Sequence, residues 1–433
     1  MQSVSGSGPL DPDGDPFAEM AQVFARFVSS FGSGAQLNFD QAKQMAGAIA
    51  NDGETEFNVD PVERIQLEQL SRVAELHITE ITGLSLDLRT ATIEPTTRAQ
   101  WTSNTLDAYR PLFERLTDSL GSIMRDQLDQ VSPDDLEEMS ESLGPLGADP
   151  GAFLAGLSQL LGPMMLSMMA GSTVGHLGRR AFGSFDLPIP RRDGGVMVVA
   201  HNVDTFANDW SLPPEDLRLW ICLSELTHRA VLDVPHVRDR LTELLSSHAS
   251  AFASDSSVLE DRLGDVDLTD PEGMDQLQRL LSDPDIVLGA IRSDEQRRLL
   301  PEIDALVVVV EGYVDWMLDT VSSRLLSSSS MVSEAMRRRR VETDQASRFI
   351  ERLFGLELTQ DKLDRGNAFV QGVVERAGGD ALRRLWSDPA ALPTVSEVDA
   401  PGLWLARLGI DADQPLPELD DVPDIPDFPD LGG

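Results

Sequence analysis

Ser224-Glu225-Leu226-Thr227-His228 lies at the end of the apolar run Leu219-Trp220-Ile221-Cys222-Leu223, so its polar side chains sit on an otherwise apolar helix. The spacing matches the H-E-x-x-H pattern of zinc peptidases, with serine in place of the first histidine. In the intact pattern, histidines at i and i+4 share one helical face and ligate zinc, while the glutamate between them is the base for a metal-bound water. Glu225 thus occupies the base position, His228 the second-ligand position, and Ser224 the position of the missing first histidine. A plainer reading is a satisfied pair of core side chains, because a buried Glu and His need partners to offset their desolvation.

A second stretch raises the metal reading above chance. Glu311-Gly312-Tyr313-Val314-Asp315 follows four consecutive valines, Val307 to Val310, which sets carboxylates on another buried helix. Glu311 and Asp315 are i and i+4, hence on one face. Many zinc peptidases draw a third ligand from a glutamate on such a downstream helix and orient a ligand histidine with a nearby acid. Gly312 is expected to let the two helices approach closely. Tyr313 is a candidate for stabilising an oxyanion, with simple packing beside Gly312 as the plainer reading. A neutral serine hydroxyl is a poor zinc ligand, so a working site would need a substitute. His176, His201 and His236 are the candidates, and none stands at a spacing that singles it out.

Composition narrows the partners. The 433 residues carry a formal net charge of -38, and only Lys43 and Lys362 are lysines. This acidity disfavours nucleic acid and anionic membrane surfaces as partners. The single cysteine, Cys222, excludes an internal disulfide and fits a reducing, cytoplasmic setting. No basic segment followed by an apolar one marks a signal peptide. Residues 152–178 lack Asp, Glu, Lys and Arg, but Pro163, several glycines and serines, Gln159 and His176 favour a buried helix pair over a membrane span. The run Arg337-Arg338-Arg339-Arg340 reads as a solvated helix face paired with Glu334, Glu342 or Glu351.

The elements that must hold the motif are mostly helices. Periodicity predicts helices over Phe17–Phe31, from an Asn38 cap to about Ala50, and from Asp60-Pro61 to about Thr82, the last with Ile65, Leu67, Leu70, Val73, Leu76 and Ile78 inward. A helix over about 96–128 is expected to kink at Pro111. Val196 to Ala200 is the clearest strand. Ser211, with Pro213-Pro214-Glu215-Asp216, is expected to cap and open the motif helix. Residues 246–272 read as a polar excursion, and helices resume near Asp294 and run to about Leu408.

Over about Leu37 to Leu408 the sequence resembles a zincin-like metallopeptidase family of high-GC Gram-positive bacteria, a group of zinc-dependent hydrolases without assigned function. The resemblance is carried by Leu37-Asn38-Phe39-Asp40, Gln44, Asn58-Val59-Asp60-Pro61, Phe185-Asp186-Leu187-Pro188-Ile189-Pro190 and Asn202. It continues through the motif helix to Val234-Pro235, Glu311-Gly312-Tyr313, and a closing stretch with Gly366, Phe369-Val370, Trp386, Leu392-Pro393-Thr394, Glu397, Pro401 and Trp404. It implies a mainly α, zincin-like domain with a small β element over 37–410. A disordered or weakly helical segment precedes it at 1–36, and an acidic, Pro-rich disordered tail follows at 411–433. Carried over by position, Glu225 is the catalytic base, His228 the second ligand and Glu311 the third, with Asp315 behind them; Ser224 departs from the pattern.

The resulting expectation is a zinc-poor, catalytically impaired pseudoenzyme that keeps its cleft for a peptide or protein ligand. One alternative is an active zinc peptidase using Glu225, His228, Glu311 and a substitute ligand. Another is a non-enzymatic helical interaction protein.

Overall fold

The structure, a computed structural model, describes residues 38–84, 86, 92–129, 167–191, 195–252, 293–341 and 345–410. The expected Phe17–Phe31 helix, both terminal segments, the first part of 152–178 and most of the 246–272 excursion lie outside the described residues.

Helices dominate from the start. Asn38 caps α1 (Phe39–Ala50) by accepting from Gln41 N, and Asp60 caps α2 (Pro61–Thr82), which has proline in its first turn and ends at Gly83 with φ 69°. The buried stripe of α2 is Leu67, Ser71, Ala74, Ile78 and Thr82. Ile65, Val73 and Leu76, expected inward, are 55%, 40% and 67% exposed. A 3.6-residue repeat admits only one such stripe, and the smaller Ser71 and Ala74 occupy it where α2 packs on its neighbours.

A strand that periodicity does not single out, β1 (Ile93–Thr96), comes next. Pro95 removes a donor from a four-residue strand, which hides it in sequence, yet a two-stranded edge tolerates the loss. Thr97 caps α3 (Arg98–Ala108), and α4 (Arg110–Asp129) follows after a break at Tyr109. The expected kink is thus a break two residues before Pro111, where the ring crowds the preceding backbone. A helix over 167–180 is α5. β2 (Val196–Val199) pairs in parallel with β1, Ile93 opposite Val196 and Thr96 opposite Val199.

The remaining helices build the core. They are α6 (Ala200–Asp209), α7 (Pro214–Leu232), α8 (Pro235–Ser250), α9 (Asp294–Leu325), α10 (Ser329–Val341), α11 (Gln345–Leu353) and α12 (Gln360–Ala377). Two 3₁₀ segments and short helices α13 (Val395–Asp399) and α14 (Pro401–Arg407) close the described chain. Ser211 does not cap α7. It has φ 52° and turns the chain between α6 and α7, and the helix opens after Pro213 with no side-chain cap.

From Leu219 to Leu232 every residue of α7 is buried, so this helix runs through the middle of the protein with α2 and α9 against it. Gly312 performs a different close approach from the one expected. A Cβ there would lie 2.5 Å from the Gly366 carbonyl, and a Cβ on Gly366 would collide with the Val308 carbonyl. The paired glycines bring α9 against α12, leaving the Glu311 side of α9 for α7. Trp404, fully buried, donates from Nε1 to Ala391 O at 2.7 Å and fastens the end of the domain. No helix among the described residues is long and apolar enough to cross a membrane.

Candidate functional site

Two buried helices and one loop make the site. α7 presents Ser224, Glu225 and His228, α9 presents Glu311, and residues 181–191 fold over them. That loop is fixed on both sides. Phe182 O accepts from Val199 N at 2.8 Å, Ser184 Oγ accepts from Met197 N at 2.9 Å, and Gly183 O accepts from Trp101 Nε1 at 2.7 Å. Asn202 Nδ2 donates to Gly178 O at 3.0 Å and Ala181 O at 2.8 Å, anchoring the loop where α5 ends. Asp186 Oδ1 accepts from Phe182 N and Gly183 N at 2.9 and 3.2 Å.

The loop in turn fixes Glu225. Phe185 N donates to Glu225 Oε2 at 3.1 Å, and a Cβ on Gly183 would collide with the Glu225 carboxyl group. Glycine is therefore required there for space. Burial, followed by the negative charge of Asp186, pushes the Glu225 pKa up to about 8. Burial thus favours the neutral carboxylic acid over the carboxylate at Glu225.

His228 is held at both ring nitrogens. Nδ1 lies 2.9 Å from Ser224 O and Nε2 lies 3.1 Å from Glu311 Oε1, while the Phe185 ring stacks on the imidazole at 6.0 Å. Both partners are acceptors, so the arrangement is satisfied in full only by an imidazolium donating twice. Burial opposes that charge, but the Glu311 carboxylate and its hydrogen bond outweigh it and raise the His228 pKa.

The arginine run, expected to be solvated along its length, divides between surface and site. Arg337 and Arg338 do pair with Glu334, at 2.9 and 2.7 Å. Arg339 and Arg340 turn inward and line the cavity instead. Arg339 donates to Asp186 Oδ2 at 2.8 Å and to Arg180 O at 2.7 Å, its guanidinium 3.8 Å from the Phe182 ring centre. Arg340 donates to Asp315 Oδ2 at 2.9 Å, and its other terminal nitrogen is 4.0 Å from Glu311 Oε2. Four arginines in succession on a helix must point to different faces, and the apolar Val332, Ala335 and Met336 identify the inward one.

Ser224, Glu225, His228 and Glu311 thus converge on one cavity of about 100 Å³. Asp315 faces Arg340 rather than a histidine. Tyr313 is elsewhere: it packs against Trp386 and Trp316, ring centres 5.1 and 5.7 Å away, and does not line the cavity. His176, His201 and His236 do not line it either. A second cavity of about 430 Å³ shares Trp220, Met336, Arg340 and Leu363 with the first and extends past Asp315, Trp316 and Asn367. Burial pushes the Cys222 thiol up, which suits an inert core residue.

This donor set is a poor fit to zinc. A catalytic zinc site uses three protein ligands plus a water. Here one imidazole and one carboxylate are paired with each other, the hydroxyl of Ser224 is neutral, and a guanidinium stands beside the carboxylate. Among the described residues no three His, Cys, Asp or Glu side chains are grouped to hold a metal ion.

Comparison with known proteins places the architecture. A crystal structure from Chloroflexus aurantiacus, of "a putative hydrolase with a novel fold", has a TM-score of 0.57 at 23% identity, covering 87% of this chain and all of the other. That likeness is one of fold. No curated protein matches the chain. A family model described as zincin-like metallopeptidase matches residues 37–405, with the buried Glu225–His228 helix and Glu311 inside the match. The chain belongs to the zincin-like metallopeptidase family.

Proposed function

We propose that this chain is a zincin-fold binding protein in which an internal ion-pair network has replaced the metal site. The carrying observation is the neighbourhood of Glu311: one oxygen is 3.1 Å from His228 Nε2 and the other 4.0 Å from Arg340. Protein cations neutralise the carboxylate that a metal would otherwise neutralise. Ser224 completes the change, since its hydroxyl stands where the family pattern has an imidazole.

The residues retained from a hydrolytic site act differently here. Glu225 keeps the position of the base, but burial favours its neutral carboxylic acid over the carboxylate. His228 supplies positive charge and holds Glu311 in place. The site cavity, at about 100 Å³, has room for a few waters but not for a peptide. Ligand binding therefore uses the adjoining cavity of about 430 Å³, where Asp315, Trp316 and Asn367 provide charge, an aromatic face and an amide. The lone buried Cys222 accords with a reducing compartment such as the cytoplasm.

The competing reading is an active zinc peptidase with Glu225 as base. The retained Phe185 N–H to Glu225 contact favours it, because it keeps the carboxyl aimed into the cavity. Hydrolysis of fluorogenic casein, with and without added zinc, separates the two. We expect wild type and Glu225→Gln to be equally inert; zinc-stimulated cleavage lost in Glu225→Gln would establish the peptidase.

A further inference from the structure

The chain has 35 lysines and arginines against 73 acids, so an average stretch of its surface carries more carboxylates than cations. One cleft inverts that ratio. Arg98, Arg179, Arg180 and Arg339 line it, with Asp209 as the single carboxylate in the lining. They come from the first turn of α3, the end of α5 and the end of α10, elements far apart in sequence.

Asn202 ties two of these walls together. Its Oδ1 accepts from Arg98 Nε at 2.6 Å, and its Nδ2 donates to Gly178 O and Ala181 O, on either side of Arg179-Arg180. Asn202 is itself a buried lining residue, so the Arg98 guanidinium is held in the cleft wall. The Arg339 guanidinium lies 3.8 Å from the Phe182 ring centre and donates to Arg180 O at 2.7 Å, both lining residues.

Charge is unevenly balanced among these arginines. Arg179 pairs with Asp52 at 2.9 Å and Arg339 with Asp186 at 2.8 Å. Burial, and the positive charge of Arg180, hold Arg339 below its ordinary pKa despite Asp186. Among the described residues, no carboxylate lies within ion-pairing distance of the half-buried Arg98 guanidinium. Glu56 instead accepts from the backbone N–H groups of Arg98 and Ala99, at 2.8 and 3.2 Å. A cation in the first turn of a helix also opposes the helix dipole. Holding Asn202 takes one donor, so that role does not account for the rest of the guanidinium or its charge.

Aromatic rings make up much of the remaining wall. Half-buried Phe206 and Trp210 have ring centres 5.6 Å apart, and Phe206 meets Phe182 edge-on at 5.2 Å. A volume of about 340 Å³ suits a small organic molecule. Guanidiniums on separate elements match the several oxygens of a phosphate, and the rings offer a planar group a stacking face. The acidity of the rest of the chain repels a polyanion, which would extend over other carboxylates, and leaves a small phosphate.

We infer that this cleft binds a small phosphate monoester carrying a planar ring, a nucleoside monophosphate, with its phosphate on Arg98 and its base against Phe206 and Trp210. The inference is independent of whether the Glu225 site hydrolyses anything.

Calorimetric titration of the full chain tests it with the adenosine, guanosine, cytidine and uridine 5′-monophosphates, the four free nucleosides and inorganic phosphate. At least one nucleotide should bind. Its nucleoside should bind roughly 10- to 100-fold more weakly, the cost of one charge-assisted pairing. Inorganic phosphate, lacking the stacked base, should be weaker by a similar factor. Arg98→Gln, which keeps a donor for Asn202, should weaken the nucleotide roughly 10- to 100-fold as well. Should that variant misfold, Thr205→Glu sets a carboxylate in the lining from an exposed position of α6 and should abolish binding. Binding by no nucleotide, binding as tight for the nucleoside or inorganic phosphate as for the nucleotide, or binding unchanged in either variant overturns the inference.

Discussion

Arg340 reaches Asp315 at 2.9 Å and stands 4.0 Å from Glu311, so a single guanidinium spans two carboxylates one helical turn apart on α9. With His228 on the far oxygen of Glu311, the array forms a chain of alternating charge through the heart of the molecule. Removing a partner from such a buried chain leaves a charge uncompensated, and that penalty sets the scale of the mutational effects.

Arg340→Leu should lower stability by about 2 kcal/mol, less than a fully buried pair because the Arg340 side chain keeps 25% exposure. Glu311→Gln strips His228 of its anion and should cost about 3 kcal/mol or more. It should also drop the His228 imidazole pKa, followed through its ring proton shifts. Urea unfolding of both variants checks the magnitudes, and an unchanged midpoint in both would contradict the network.

Glu225 predicts a pH dependence of definite sign. Its pKa rises from 4.5 to about 8 on folding, so between those values the folded state holds the proton and the unfolded state has lost it. Its contribution to stability thus declines as pH rises through that window. Glu225→Gln keeps an acceptor for Phe185 N and removes the titration. The variant should gain melting temperature over wild type at pH 8 and much less at pH 5. Equal differences at both pH values would show that Glu225 is not held protonated.

Gly183→Ala should be destabilising by about 2 kcal/mol, because its methyl group lands on the Glu225 carboxyl. Shortening the neighbour should relieve it. Gly183→Ala combined with Glu225→Ala should lose less than the sum of the single changes, a coupling read from a double-mutant cycle. Strict additivity would mean that the loop and the glutamate do not press on each other.

Much of the site is legible in sequence because it rests on helical periodicity. Ser224, Glu225 and His228 share a face by spacing alone, and Val307 to Val310 announce that the Glu311 helix is buried; the structure brings all four side chains to one cavity. What spacing cannot give is the azimuth of a charged run. Arg339 and Arg340 look like their neighbours Arg337 and Arg338, and only the packing of α10 through Val332, Ala335 and Met336 turns two of them inward. Phe185 and Asp186 enter the sequence reading only among the residues that carry the family resemblance, since a loop's hydrogen bonds to a strand formed later in the chain leave no periodic signal. The same limit hides β1, a strand of four residues interrupted by Pro95. The stripe of α2 departs from its apolar pattern because Ser71 and Ala74, small residues at tight contacts, outrank exposed Ile65 and Leu76.

Zinc content after extensive dialysis, measured by elemental analysis, shows whether protein cations have taken the place of the metal. Wild type should hold roughly 0.1 zinc per chain or less, Ser224→His a partial load, and Ser224→His with Arg340→Leu close to about one, as expected once three ligands stand free. Wild-type protein that keeps about one zinc per chain through dialysis would contradict the account, since an intact site needs all its ligands.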